Sequence, residues 1–221
     1  MKTIVYVDGY NFYFGLLRHS PFKWLDLVKL FNSIIPTHCQ EVDIVKVKLF
    51  TAPTLAKFAT QKQKASESQQ RYWRALEVLY PEKIEIIKGY YSDTKQNAML
   101  YITPPDKAQR VDVWKLEEKL TDTQMSLHIY RDALKDDVDQ VVIVSNDSDM
   151  EPAAQMVKED TTTKLGIILP RIKDSKRTLS QKLINLGDWA NVGITEQQLT
   201  DALLPAKVPT KKKPIVKPDY W

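Results

Sequence analysis

Short runs of β-branched residues alternate along this chain with segments whose apolar residues recur at helical spacing. Residues 3–8 (Thr-Ile-Val-Tyr-Val-Asp) read as a buried strand that ends in a polar turn at Asp8-Gly9. Residues 10–18 are aromatic-rich and read as helix, and Trp24, Leu27, Val28 and Phe31 then share a helical face. Residues 42–50 form a second strand, with Val45, Val47 and Leu49 alternating against Lys46 and Lys48. A long polar helix is expected over 54–80, stopped by Pro81, then a third strand over 83–91 and a loop or hairpin over 92–107. Residues 114–135 read as two helical pieces, the second N-capped by Thr121 and carrying Leu127, Tyr130 and Leu134 on one face. Residues 140–145 are a continuous apolar run of the kind buried on both faces of a parallel sheet. A helix over 151–159 opened by Pro152, a strand over 164–169 and a helix over 175–186 follow.

This alternation predicts an α/β domain with a mostly parallel central sheet flanked by helices. In such sheets functional groups gather where strands end, near the switch in strand order. Hydrophobic residues are 43% of the chain and charged residues 27%, enough for a sizeable core. The longest apolar runs, at 141–144 and 165–169, are too short to cross a bilayer, so no membrane association is expected. The first residues resemble neither a signal nor a transit peptide. One cysteine, Cys39, excludes an internal disulfide framework and a multi-cysteine zinc site, which favours a cytoplasmic setting. The net charge of +4 is concentrated in residues 205–221, where five lysines face one acid, Asp219. Two parts are therefore expected: a domain over 1–204, neutral overall, and a flexible basic Pro/Lys-rich tail over 205–221 that adds RNA affinity or docks a partner.

Asp8 ends the first strand, while Asp147 and Asp149 follow the strongest later one. If the two strands are neighbours, three carboxylates meet. At about 4 Å and an effective dielectric of about 20, each pair repels by roughly 4 kcal/mol. Protonation or a divalent cation must relieve that repulsion, and oxygen-only ligands suit Mg²⁺ or Mn²⁺. Such a site serves phosphodiester hydrolysis by a metal-activated water. Taken singly, each aspartate also suits a turn or helix cap, Asp149 before Glu151-Pro152 above all.

Three blocks in order resemble the NYN domains of the PIN-like nuclease superfamily, the LabA-like group in particular. They are Val7-Asp8-Gly9-Tyr10-Asn11-Phe12, residues 113–122 (Val-Trp-Lys-Leu-Glu-Glu-Lys-Leu-Thr-Asp) and residues 144–152 (Val-Ser-Asn-Asp-Ser-Asp-Met-Glu-Pro). The resemblance implies a PIN-like fold and an endoribonuclease with Asp8, Asp122, Asp147 and Asp149 as catalytic metal ligands. It makes Asn11 an orienting group, has Ser145 and Asn146 shape the pocket, and offers Glu118 and Asp132 as supporting acids. RNA is the expected substrate ahead of DNA, and a homodimer is compatible with the family. Two departures are visible: Leu120 stands where the family usually has a small residue, often Gly, and Thr123-Gln124 where Val-Asn is common. Asp112 competes with Asp122 for the middle position.

Arg171, Lys173, Lys176 and Arg177 follow a strand end and are candidates for phosphate contacts, or a solvated turn. Tyr10, Phe12, Tyr13 and Phe14 offer either a base-stacking platform or the buried face of the first helix. The three histidines are scattered, which disfavours a metal-free acid–base pair. A phosphohydrolase of the HAD type would need a second Asp two residues after Asp8, where Tyr10 stands. A non-catalytic RNA-binding or regulatory protein with a degenerate site is the remaining alternative.

Overall fold

A computed structural model describes residues 1–221. Its centre is a six-stranded, all-parallel sheet. In chain order the strands are β1 (Lys2–Asp8), β2 (Asp43–Thr51), β3 (Ile84–Lys88), β6 (Gln140–Val144), β7 (Lys164–Ile168) and β8 (Trp189–Asn191). An antiparallel arm, β4 (Tyr90–Met99) and β5 (Arg110–Lys119), interrupts the series, and a short hairpin, β9 (Lys207–Val208) and β10 (Ile215–Val216), ends it. The helices are α1 (Gly9–Phe12), α2 (Leu27–Ile34), α3 (Gln63–Leu79), α4 (Thr121–Ala133), α5 (Glu151–Asp160), α6 (Gln181–Leu186) and α7 (Glu196–Asp201). No helix is long and apolar enough to cross a membrane.

The strand order β3-β2-β1-β6-β7-β8 runs outward in both directions from the β1/β6 pair. The order therefore switches between β1 and β6, the place where open α/β sheets bind ligands at their carboxyl ends. Side-chain alternation divides β1 between two cores. Val5 and Val7 face α2, α3 and α7, whereas Ile4 and Tyr6 face α4, α5 and α6. Burial on both faces is why β1, β6 and β7 are almost wholly apolar and rich in Val and Ile.

Several expectations are corrected here. The stretch 114–119 belongs to a strand, because it pairs antiparallel with β4, Trp114, Leu116 and Glu118 lying opposite Lys95, Asp93 and Tyr91. The polar helix begins at Gln63 rather than near 54, and the helix expected over 175–186 is reduced to α6, preceded by a loop. In α4 the buried face is Met125, Ile129, Asp132 and Ala133, while Leu127 and Leu134 point to solvent. Asp132 is tolerated there because Lys48 of β2 meets it at 2.5 Å and Tyr6 donates to it at 2.9 Å. Burial opposes its charge, yet hydrogen bonds from Lys135 and Lys48, the Lys48 charge and the Tyr6 hydroxyl hold the carboxyl well below the usual range. Asp132 therefore clamps α4 to the sheet instead of supporting the acids at its edge.

Residues 205–221 are packed rather than a free tail. Val208 and Ile215 are buried in the α2/α3 core, and the Trp221 ring lies 6.2 Å from Trp24 and 5.8 Å from Tyr72. The Pro205 carbonyl accepts the Trp24 indole N–H at 2.9 Å. Apolar residues spaced along a Lys/Pro-rich segment anchor it while its lysines stay in water.

Candidate active site

Asp8 is the last residue of β1, and Ser145 follows Val144, which pairs with Val7 in the adjacent strand. Ser145 joins the two strand ends: its hydroxyl donates to Asp8 Oδ2 at 2.7 Å and accepts the Asp147 N–H at 3.0 Å. Asp8 Oδ1 accepts the Asn11 N–H at 2.9 Å, so the carboxylate also caps α1. Gly9 permits that turn, because a Cβ there would lie 2.6 Å from the Phe50 carbonyl at the end of β2. Asn11 Oδ1 in turn accepts from the Asn146 N–H at 3.4 Å and from Arg177 at 3.2 Å. Asn146 secures the loop before α6, its amide donating to the Thr178 carbonyl and accepting the Ser180 N–H, each at 2.9 Å. The strand ends, α1 and the 170–180 loop are thus held by one polar network around Asp8.

Asp147 caps the turn over Ser148–Met150 by accepting the Asp149 N–H at 3.1 Å, which leaves Asp149 exposed. Asp122 stands in the first turn of α4, exposed and on the same side of the sheet as Asp8. Electrostatics ties the set together. Asp8 is 6% exposed, and its carboxyl is pushed up to about 6. Burial is the main cause; the Asn11 and Ser145 hydrogen bonds oppose it, and the charges of Asp122 and Asp147 add to it. Asp122 is raised by burial and then by Asp147 and Asp149. Glu118, at the foot of the arm, is raised mainly by burial; its partners are the Tyr91 hydroxyl at 3.0 Å and Thr121, and its Oε1 has none.

The donor chemistry suits a hard divalent cation, since Asp8, Asp122, Asp147 and Asp149 all offer carboxylates and none has a basic side chain in ion-pair contact. Their spacing is wider than a ligand shell, because no three acidic, histidine or cysteine side chains stand close enough to hold one ion. Ser145 holds the Asp8 carboxylate and the Asp147 backbone, whereas Asp122 and Asp149 are exposed.

The remaining predicted residues separate clearly. Asp112 lies out on the arm, paired with Lys95 at 2.5 Å and Asn97 at 2.9 Å, so it does not compete with Asp122. Arg171 is buried and spends its guanidinium on the Ser175 hydroxyl and carbonyl, which stiffens the loop and leaves it unavailable to a substrate. Lys173 and Lys176 are exposed, and only Arg177 reaches the network around Asp8. Leu120 adopts a left-handed φ of 74° just before α4, which accounts for the glycine usual at this point in the resembled family. The Tyr91–Glu118 contact at the edge of the site lies between residues 27 apart and left no local signal in the sequence.

The model of the NYN domain family matches residues 2–188. The chain belongs to the NYN domain family. This bears out the resemblance carried by the three blocks, and the family is nuclease-like. A curated relative, 6-hydroxy-3-succinoylpyridine 3-monooxygenase from Pseudomonas putida, is 36% identical over 239 aligned positions, which take in 100% of this chain and 75% of the relative. A crystal structure of a protein of unknown function from Vibrio parahaemolyticus superposes with a TM-score of 0.51 at 20% identity, covering 92% of this chain and 96% of that one. That likeness extends the shared α/β fold across most of both chains. Residues beyond 188, outside the family match, still complete the core through Leu199, Leu204, Val208 and Ile215.

Proposed function

We propose that this NYN protein is a metal-dependent endoribonuclease whose centre is Asp8 with Asp122, Asp147 and Asp149. The observation that carries the reading is the meeting of Asp8 and Asp147 through Ser145 at the β1/β6 switch point. The four carboxylates would hold Mg²⁺ or Mn²⁺, and such an ion supplies Lewis-acid activation of water and of a phosphoryl oxygen. Ser145 orients the Asp8 carboxylate and holds the Asp147 backbone, the Asp149 N–H fixes the Asp147 carboxylate, and the Asn11 N–H fixes the other Asp8 oxygen. Arg177, held over the site by Asn11, offers its remaining N–H groups to a substrate phosphate. Asp122 and Asp149 are exposed beside the carboxyl ends of the strands, where a polymeric substrate could reach them.

The test is cleavage of single-stranded RNA by the purified chain in Mg²⁺ or Mn²⁺. Activity should vanish in EDTA and in Asp8→Asn or Asp147→Asn; cleavage that survives either change overturns the reading. A second reading rests on the relative named a monooxygenase, which aligns with the whole chain. Incubation with 6-hydroxy-3-succinoylpyridine, a reductant and O₂ distinguishes the two. Oxygenation of the ring that persists in Asp8→Asn, with no RNA cut, favours the oxygenase.

A further inference from the structure

The first helical segment presents three side chains in a row beside the acids. Tyr10, Phe14 and Arg18 are spaced four apart and follow one face of α1 and the π-helical turn at Tyr13–Leu17. The Tyr10 and Phe14 rings lie 4.3 Å apart and inclined by 34°, and Arg18 sits 5.1 Å over Phe14. Tyr13 meets Phe14 edge-on at 5.2 Å. The rings are not core: Tyr10 is 49% exposed, Phe14 42% and Tyr13 38%, whereas Phe12 and Leu16 on the opposite face are buried. Of the four aromatics, Tyr10, Tyr13 and Phe14 thus stand in solvent, and Phe12 belongs to the interior.

Cations flank this shelf. Arg177 crosses the adjacent stripe, bonding Asn11 and packing against Gly15, where a Cβ would collide with its guanidinium. Neither Arg18 nor Arg177 is in an ion pair with any carboxylate. At the other end the shelf begins beside the acids, because Tyr10 lies in α1, the helix that the Asp8 carboxylate caps. Half-exposed rings flanked by two guanidiniums that no carboxylate neutralises complement a polyanion that carries planar rings. Only unstacked bases offer those rings, because a duplex keeps its faces covered.

We infer that Tyr10 and Phe14 form a stacking subsite for an unpaired base of single-stranded nucleic acid, with Arg18 and Arg177 taking the flanking phosphates. This rests on the nuclease reading for the adjacent acids, but stacking is measurable without catalysis. The experiment is fluorescence anisotropy of a short fluorescein-labelled single-stranded RNA with the full-length protein in EDTA. Tyr10→Ala and Phe14→Ala should each weaken binding about five- to a hundred-and-fifty-fold, as expected for losing one aromatic–base stack. Tyr10→Phe should bind like the parent, which shows that the ring rather than the hydroxyl matters and controls for folding. Arg177→Ala should lower affinity and flatten the dependence on salt. The inference is overturned if the alanine variants bind as the parent does, if a duplex of the same sequence binds equally well, or if the parent takes up a free hydroxypyridine but no RNA. Binding by the parent that depends on Tyr10 and Phe14, with no cleavage once Mg²⁺ or Mn²⁺ is restored, retains the subsite and overturns only the nuclease reading.

Discussion

Replacing Asp8 with Asn should change the stability of the metal-free protein in a way that depends on pH. In the folded chain the Asp8 carboxyl is pushed from 3.8 up to about 6, chiefly by burial. Between those values the folded state holds a proton that the unfolded chain has released, so stability falls as pH rises through this window. Above about pH 7 the full cost is present, and below about pH 3 it is absent. A shift of about two units corresponds to about 3 kcal/mol. Asparagine carries no charge at any pH and escapes that cost. It also loses part of the Ser145 contact, because its amide now faces a hydroxyl that was donating to Asp8 Oδ2. That loss is about 1 kcal/mol and independent of pH. The variant should therefore be slightly less stable than the parent near pH 3 and more stable by about 2 kcal/mol near pH 8. Urea unfolding in EDTA at both pH values measures this. A stability difference between variant and parent that stays constant from pH 3 to pH 8 would refute the view that Asp8 is a strained, counter-charge-deficient carboxylate.

Three further outcomes follow from particular contacts. Asp132→Ala takes the nearer carboxylate from buried Lys48, leaving only Glu85 at 3.8 Å, and should cost about 3 kcal/mol in urea unfolding; Lys48→Met combined with Asp132→Leu should recover most of it, and no recovery would mean the pair does more than balance its own charges. Leu120→Gly should raise stability by about 1 kcal/mol by relieving the left-handed backbone, seen as a higher urea midpoint; a lower midpoint would mean that the half-exposed Leu120 side chain matters more than its φ. Removing residues 205–221 should cost at least about 3 kcal/mol, since Val208 and Ile215 are both buried, and should quench or shift Trp24 fluorescence; an unchanged melting curve would show the segment to be dispensable.

The sequence carried much of the sheet because β1, β6 and β7 are buried on both faces and declare themselves as unbroken apolar runs. It was misleading at α4, where the buried face holds Asp132 and the exposed one holds Leu127 and Leu134. There an ion pair from a strand about eighty residues away overrides the apolar pattern. It was also misleading at the arm, since β4 and β5 are mostly exposed and have no core face to impose an alternation. The aspartates were legible for a local reason. Asp8-Gly9-Tyr10-Asn11 and Ser145-Asn146-Asp147 each encode a complete hydrogen-bonded turn at the end of a hydrophobic strand. The basic loop was not, because Arg171 and Arg177 differ only in what they touch.

By itself, then, the sequence determined the parallel α/β class, the two strand ends that carry acids, and membership in an ordered motif set, because each is written in contiguous residues through backbone geometry and burial. The tertiary structure alone decided that β1 and β6 are neighbours, that Ser145 links Asp8 to Asp147, and that Asp122 rather than Asp112 approaches them. It also decided that the lysine-rich end is folded and that three aromatics stand in solvent beside Arg18 and Arg177. These depend on contacts between residues far apart in the chain, whose energies are set by which surfaces meet and are invisible to local pattern.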